Sequence, residues 1–252
     1  FYEILTISTY PLVAHKETPE ALAAGRKYLV YLLTAAVFIL FSIAYTYQLA
    51  GGLDFVGGGF LAGKGSPEVL RLLFVTFILA FGTKAAFLPI HEWLPTAMIA
   101  PTPVSALLHA VAVVKAGVFS CLRVIHYVFG PTLLSDLNLW LMLCYFVSFT
   151  IVVGSLFAMA QDNLKRRLAF STISQLCYIV LGAALITPMA LIGSILHMAF
   201  HGFMKITLFF CAGAIFVKTG KENISEMNGI GRRMPLTMGA FAVGAIGMAG
   251  IP

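Results

Sequence analysis

Apolar residues in this chain gather into eight stretches, at 1 to 14, 28 to 49, 69 to 88, 103 to 126, 137 to 160, 168 to 186, 189 to 217 and 236 to 252, joined by short polar connections. Most match the ~20 residues that a helix needs to cross a bilayer core. They lack the ~10-residue alternating pattern of membrane-spanning strands. The pattern predicts an all-α, polytopic transmembrane helical bundle. Between the third and fourth stretches lies FLPIHEWLPTAMIAPTPVS, residues 87 to 105, whose prolines remove backbone donors and leave carbonyls in need of partners. A discontinuous helix is expected there, with 93 to 100 forming one or two extra turns. Phe1 is not an initiator Met, no signal-like region precedes the first stretch, and the last stretch is short for a span. The chain is therefore expected to be a fragment, truncated at both ends.

Composition strengthens the membrane reading. Of 252 residues 60% are hydrophobic and 10% charged, with a mean hydropathy of +0.95, against roughly 25% charged residues in soluble domains. The net charge of +6 points to topology rather than to nucleic acid, because of where the basic residues lie. If the stretches alternate, the connections at 15 to 27, 89 to 102, 161 to 167 and 218 to 235 share one side. That side carries Lys16, Arg26, Lys27, Lys165, Arg166, Arg167, Lys218, Lys221, Arg232 and Arg233; the opposite connections carry only Lys64. This bias places the basic side in the cytoplasm. A multi-pass protein of a prokaryotic cytoplasmic membrane is expected. Cys121, Cys144, Cys177 and Cys211 lie one per stretch, without CxxC or ligand-like spacing, so neither disulfides nor an iron–sulfur cluster is expected.

Charged residues inside apolar stretches are costly and mark candidate sites. Lys84 sits just before the proline run, either snorkelling to the interface or facing a hydrated cavity opened by the prolines. Lys115 lies in mid-stretch, too deep to snorkel, and needs a partner. His109, six residues earlier, is expected on a different part of the same helix, either as a packing residue or in a relay. His197, His201 and Lys205 recur every four residues and so form one stripe on a helix. Such a stripe suits a proton relay; the alternatives are a hydrogen-bonded seam between helices, metal binding or haem ligation. Metal is disfavoured because that helix holds no acidic residue and HEWLP is not HExxH; haem is disfavoured because axial ligands must face each other. Glu3 is the one acidic residue within a predicted span. It is either an exposed end carboxylate or a buried partner of Lys84 that regulates its proton. In QDNLKRRLAFSTISQLCYIV, at 161 to 180, Asp162 is read as a helix cap, and Ser171, Thr172, Ser174 and Gln175 as a polar face or wet seam.

Several motifs together resemble one family: the glutamate after Tyr2, TKAAFLPIHEWLPTAMIAPTPVSALLHA at 83 to 110, NLKRRLAFSTISQLCY at 163 to 178, HMAFHGFMK at 197 to 205 and AGIP at 249 to 252. The family is that of the antiporter-like, proton-conducting membrane subunits shared by respiratory complex I, Mrp-type cation/proton antiporters and membrane-bound hydrogenases. The resemblance implies two interlocked, inverted five-helix repeats, each with a discontinuous helix. Residues 1 to 130 would hold the last four helices of the first repeat and 131 to 252 the first four of the second. It also implies proton transfer through Glu3, Lys84, His109, Lys115, His197, His201 and Lys205, toward a charged residue that would follow AGIP. Implied partners are other membrane subunits, the lipid bilayer, protons and, for an Mrp-type member, Na+. No motif binds NAD, flavin or quinone, so no cofactor or metal is expected, and an oxidoreductase label would belong to the assembly. Two driving systems fit, a redox complex or an Mrp-type antiporter; a third reading is a structural membrane scaffold.

Overall fold

The computed structural model describes residues 2 to 250; expectations that involve Phe1, Ile251 or Pro252, including the end of AGIP, lie outside them. Each of the eight apolar stretches forms a helix: α1 (Tyr2–Val13), α2 (Pro19–Ala50), α3 (Pro67–Lys84), α4 (Thr102–Phe129), α5 (Leu139–Ala160), α6 (Leu164–Ala184), α7 (Pro188–Thr219) and α8 (Pro235–Ala249). Of these, α2, α4, α5, α6 and α7 are long and apolar enough to span a membrane. Among the described residues there is no strand, only an isolated bridge between Asn163 and Asn223.

The two longest helices, α2 and α7, have the same length and the same ends. Both run 32 residues, about 48 Å at 1.5 Å per residue. Thr18 and Thr187 cap them by accepting hydrogen bonds from the Ala21 and Ala190 amides, at 3.2 and 3.4 Å. Pro19 and Pro188 follow where no amide donor is needed. Both stop at a left-handed glycine, Gly51 (φ 73°) and Gly220 (φ 69°), whose amides bond the Tyr47 and Phe216 carbonyls.

Large apolar side chains point outward, as lipid requires: Leu40 is 68% exposed and Phe203 73%. Between helices the interior carries short polar seams, Thr9 to Tyr28 at 2.6 Å, Ser42 to Thr76 at 3.0 Å and Ser155 to Ser174 at 2.9 Å, which join helices where no water competes. The four cysteines are buried and unpaired.

The proline run breaks the third span as predicted. The helix α3 ends at Lys84, and the chain turns through Ala86, whose φ is 59°. The indole Nε1–H of Trp93 donates to the Thr83 carbonyl at 2.7 Å and satisfies a group that the break leaves open. A short helix, Trp93–Thr96, and a 3-10 turn, Ala97–Ile99, follow before α4 begins. Within α4, residues Leu107–Val111 and Val124–Phe129 adopt π-helical geometry.

All four connections predicted to share a face contribute to one cavity of about 740 Å³, through Glu20, His91, Glu92, Gln161, Asn163, Glu222 and Asn223 among others. Two of these connections are clasped together. The backbone amide of Ser225 donates to Asp162 Oδ1 at 2.9 Å and its hydroxyl to Oδ2 at 2.7 Å. Asp162 is therefore not the helix cap that the sequence suggested. Asn163 caps α6 by accepting from the Arg166 amide at 3.1 Å, which leaves the Asp162 carboxylate to reach across to the next connection.

Candidate functional site

The polar interior begins where α1 meets the end of α3. Lys84 is 0% exposed. Its ammonium lies 3.6 Å from Glu3 Oε1, 3.3 Å from the centroid of the Tyr2 ring, and donates to the Tyr2 carbonyl. The expected hydrated cavity around Lys84 is thus corrected to a packed site, because the chain end of α1 supplies a carboxylate, a carbonyl and a π-face. The Glu3 separation exceeds that of a direct N–H···O bond, ~2.7–3.2 Å, and both carboxylate oxygens are buried without any hydrogen-bond donor. The pair is loosely held.

Gly117 brings Lys84 close to α4. A β-carbon at Gly117 would lie 2.6 Å from the Ala85 amide nitrogen and 2.8 Å from Lys84 Cβ. Only glycine allows this approach. Lys115, two residues away, reaches the other way, to α7. Its ammonium donates to the Met198 carbonyl at 2.8 Å and lies 2.8 Å from His201 Nδ1. His201 is 0% exposed, and its Nε2 has no partner. The rings of His197 and His201 are 6.0 Å apart. His197 Nε2 meets Gln175 Oε1 of α6 at 2.7 Å, and the Gln175 amide donates to the Met248 carbonyl of α8 at 3.3 Å.

One turn further along α7, Lys205 is 0% exposed and donates to the Leu168 carbonyl at 3.0 Å and to Ser171 Oγ at 2.8 Å, both on α6. His109 is also fully buried, with neither ring nitrogen bonded and its ring 5.1 Å from Phe209 of α7. The sequence placed His109 away from Lys115 on a regular helix. The π-helical turn at Leu107–Val111 changes that register, so that both residues meet α7, at different levels.

The seven sequence-predicted residues therefore form a loosely joined series: Glu3 with Lys84, then Lys115 with His201, His197 beyond it, and Lys205 and His109 along the same side of α7. A hydrogen bond links Lys115 to His201 directly; none links Lys84 to Lys115. Sequence reasoning missed Tyr2, which adjoins Glu3 but carries no charge to betray it. Gln175 and Ser171 lay in the polar stretch of α6, where nothing in the pattern distinguished the working groups from their neighbours. Chemically, the Lys115 to His201 contact joins two nitrogen bases through one hydrogen bond, so a proton on one can pass to the other.

Comparison with known proteins places the whole chain in a family. Residues 1 to 252 match the family described as "NADH:quinone oxidoreductase/Mrp antiporter, TM". The chain is a member of that family. Over its whole length it is 36% identical to NADH-quinone oxidoreductase subunit N of Desulforudis audaxviator, of which it covers 50%. It is 30% identical to an Na(+)/H(+) antiporter protein of Alkalihalophilus pseudofirmus, of which it covers 51%. The chain thus spans about half the length of these relatives. Two solved structures align with all of it. One is a membrane-bound sulfane sulfur reductase, an archaeal respiratory membrane complex, with TM-score 0.86, 30% identity and 51% of that chain covered. The other is an Mrp complex from Dietzia sp. DQ12-45-1b, with TM-score 0.87, 31% identity and 27% of that chain covered. The fold and the family resemblance read from the motifs hold, and the protein is an integral, multi-pass membrane protein.

Proposed function

We propose that this chain is the central part of a subunit that moves protons through a membrane along Lys84, Lys115, His109, His201, His197 and Lys205, with Glu3 controlling Lys84. The observation that carries the reading is the hydrogen bond from Lys115 to His201, which joins two titratable groups from different helices inside an apolar bundle. The cavity over the broken helix, lined by His91, Glu92 and Thr96, supports an aqueous intake from the basic, cytoplasmic face. Gly117 supports transfer between the two lysine helices, since it sets Lys84 against α4. When Glu3 and Lys84 separate, the lysine loses its counter-charge and yields its proton more readily.

The chain is read as parts of two inverted repeats, 1 to 130 and 131 to 252. In support, Pro19 and Pro188 open the twin 32-residue helices, while Pro67 and Pro235 open the helices that follow, at a nearly constant offset of about 169 residues.

The driver is a redox reaction in partner membrane subunits, as the name of the 36% identical relative suggests. The second reading, exchange against Na+ in an Mrp-type assembly, is favoured by the antiporter relative and the aligned Mrp complex. The membrane is that of a prokaryotic cell, with the basic connections inside. Lys84→Ala in the full-length protein, assembled with its partners and reconstituted in vesicles, is expected to remove most proton transport while leaving assembly intact. Unchanged transport with impaired assembly would instead support a structural scaffold. Na+-dependent proton flux without electron donors would select the antiporter reading.

A further inference from the structure

On the face opposite the intake cavity, a second cavity of about 380 Å³ lies between α2, α3, α4 and the 51 to 66 connection. Its walls are Ile43, Leu53, Phe60, Phe77, Phe81 and Val124, with Thr46 and Ser120 as minor polar points. The volume lies within the ~300–1,000 Å³ typical of ligand sites. Arg123 also lines it, with its guanidinium carbon 4.4, 5.1 and 5.4 Å from the rings of Phe55, Phe119 and Tyr127. Among the described residues, the ion pairs are Lys27 with Glu92 and Lys84 with Glu3, so Arg123 has no carboxylate.

The site is built rather than incidental. The 51 to 66 connection is fastened onto the end of α4 by the Phe60 and Leu61 amides, which donate to the Val128 carbonyl at 3.1 and 3.3 Å. Gly59 and Gly130 permit the close backbone contact beneath them: a β-carbon on Gly59 would lie 2.3 Å from the Phe129 carbonyl oxygen. Exposed Phe55 and Tyr127 flank Arg123 at the mouth, and tyrosine is enriched at a membrane–water interface. A cation therefore sits at headgroup level above an apolar cavity that reaches Phe81, whose ring packs 5.4 Å from Tyr2.

From this juxtaposition we infer that the cavity binds one anionic phospholipid of the outer leaflet, its phosphate on Arg123 and an acyl chain along Phe77 and Phe81. An aromatic cage does not neutralise a guanidinium, whereas a phosphodiester does, through paired N–H···O bonds. A zwitterionic lipid brings a second cation along with its phosphate and so leaves the net charge of the site unmatched, and a lipid without a phosphate gives the guanidinium no partner. A free anion would leave the apolar cavity unfilled.

The test is native mass spectrometry of the full-length protein titrated with phosphatidylglycerol or phosphatidylcholine of identical acyl chains. The protein is expected to retain one phosphatidylglycerol in preference to phosphatidylcholine. Arg123→Gln should reduce that preference roughly fivefold, the effect of one charge at an anionic surface, while Arg123→Lys keeps most of it. Ser120→Trp, which fills the cavity, should weaken both lipids and leave their ratio unchanged. The inference is overturned if Arg123→Gln leaves the preference intact, if Ser120→Trp leaves both affinities intact, or if inorganic phosphate displaces the lipid as well as phosphatidylglycerol does.

Discussion

A lysine inside an apolar helix costs ~2.5–3.5 kcal/mol on insertion scales, and each of the three here meets a different kind of partner. Lys84 has a carboxylate and a π-face, Lys115 an imidazole, and Lys205 a hydroxyl, and all three use a backbone carbonyl. The lysines and the His197, His201, Lys205 stripe were legible in the sequence because a charge stands out in an apolar run. The carbonyls of Tyr2, Met198 and Leu168 were not, since every residue has one and only the fold selects which is used. Glu3 is the sole carboxylate near these lysines among the described residues. Glu3→Gln should therefore cut proton transport several-fold while the protein still assembles, measured as proton flux in vesicles. Ser171→Ala removes one of two acceptors from Lys205 and is expected to lower stability by about 1.5–3 kcal/mol, the worth of a hydrogen bond to a charged group; thermal unfolding in detergent measures it.

At the scale of elements, the apolar pattern located all eight helices and the proline run located the break, because membrane length and missing donors leave direct marks in a sequence. The π-helical turns in α4 left none. The first of them, Leu107–Val111, packs against α7 and shifts the register between His109 and Lys115, so that both meet that helix. Close helix approach was equally hidden, since Gly117 is one glycine among 23. Gly117→Ala forces a methyl group against the Ala85 amide and the Lys84 side chain. The expected cost is about 1–3 kcal/mol from overpacking, read as a lower unfolding temperature, with reduced transport because the Lys84 helix is displaced.

The clasp between two connections adds a pH dependence at the same scale. Hydrogen bonds from the Ser225 hydroxyl and amide hold the Asp162 carboxyl below its usual range. A depressed carboxyl stabilises the folded form above the unfolded pKa of ~4, and loses that contribution as pH falls through the folded value. The protection of amides at residues 222 to 226, taken relative to their intrinsic exchange rates, should accordingly be high at neutral pH and fall only in acid. Asp162→Asn should show lower protection at neutral pH and lose that acid-dependent drop.

Across the whole molecule, one face carries the basic connections and the cavity beside the broken helix, the other carries Lys64 and the aromatic cleft around Arg123. This polarity predicts labelling: a cysteine replacing Lys221 should react with an impermeant maleimide only from the cytoplasm, and one replacing Lys64 only from outside. Between the two faces the charged groups run from helix to helix, from α1 and α3 through α4 to α7. Transport then depends on each step, and the step seen as a direct bond is that from Lys115 to His201. Proton transport by the reconstituted full-length assembly carrying Lys115→Ala tests this pathway most directly. At least a tenfold loss is expected, on the order of 1.4 kcal/mol or more in the transfer barrier, with assembly unchanged; transport at the wild-type rate would contradict the pathway.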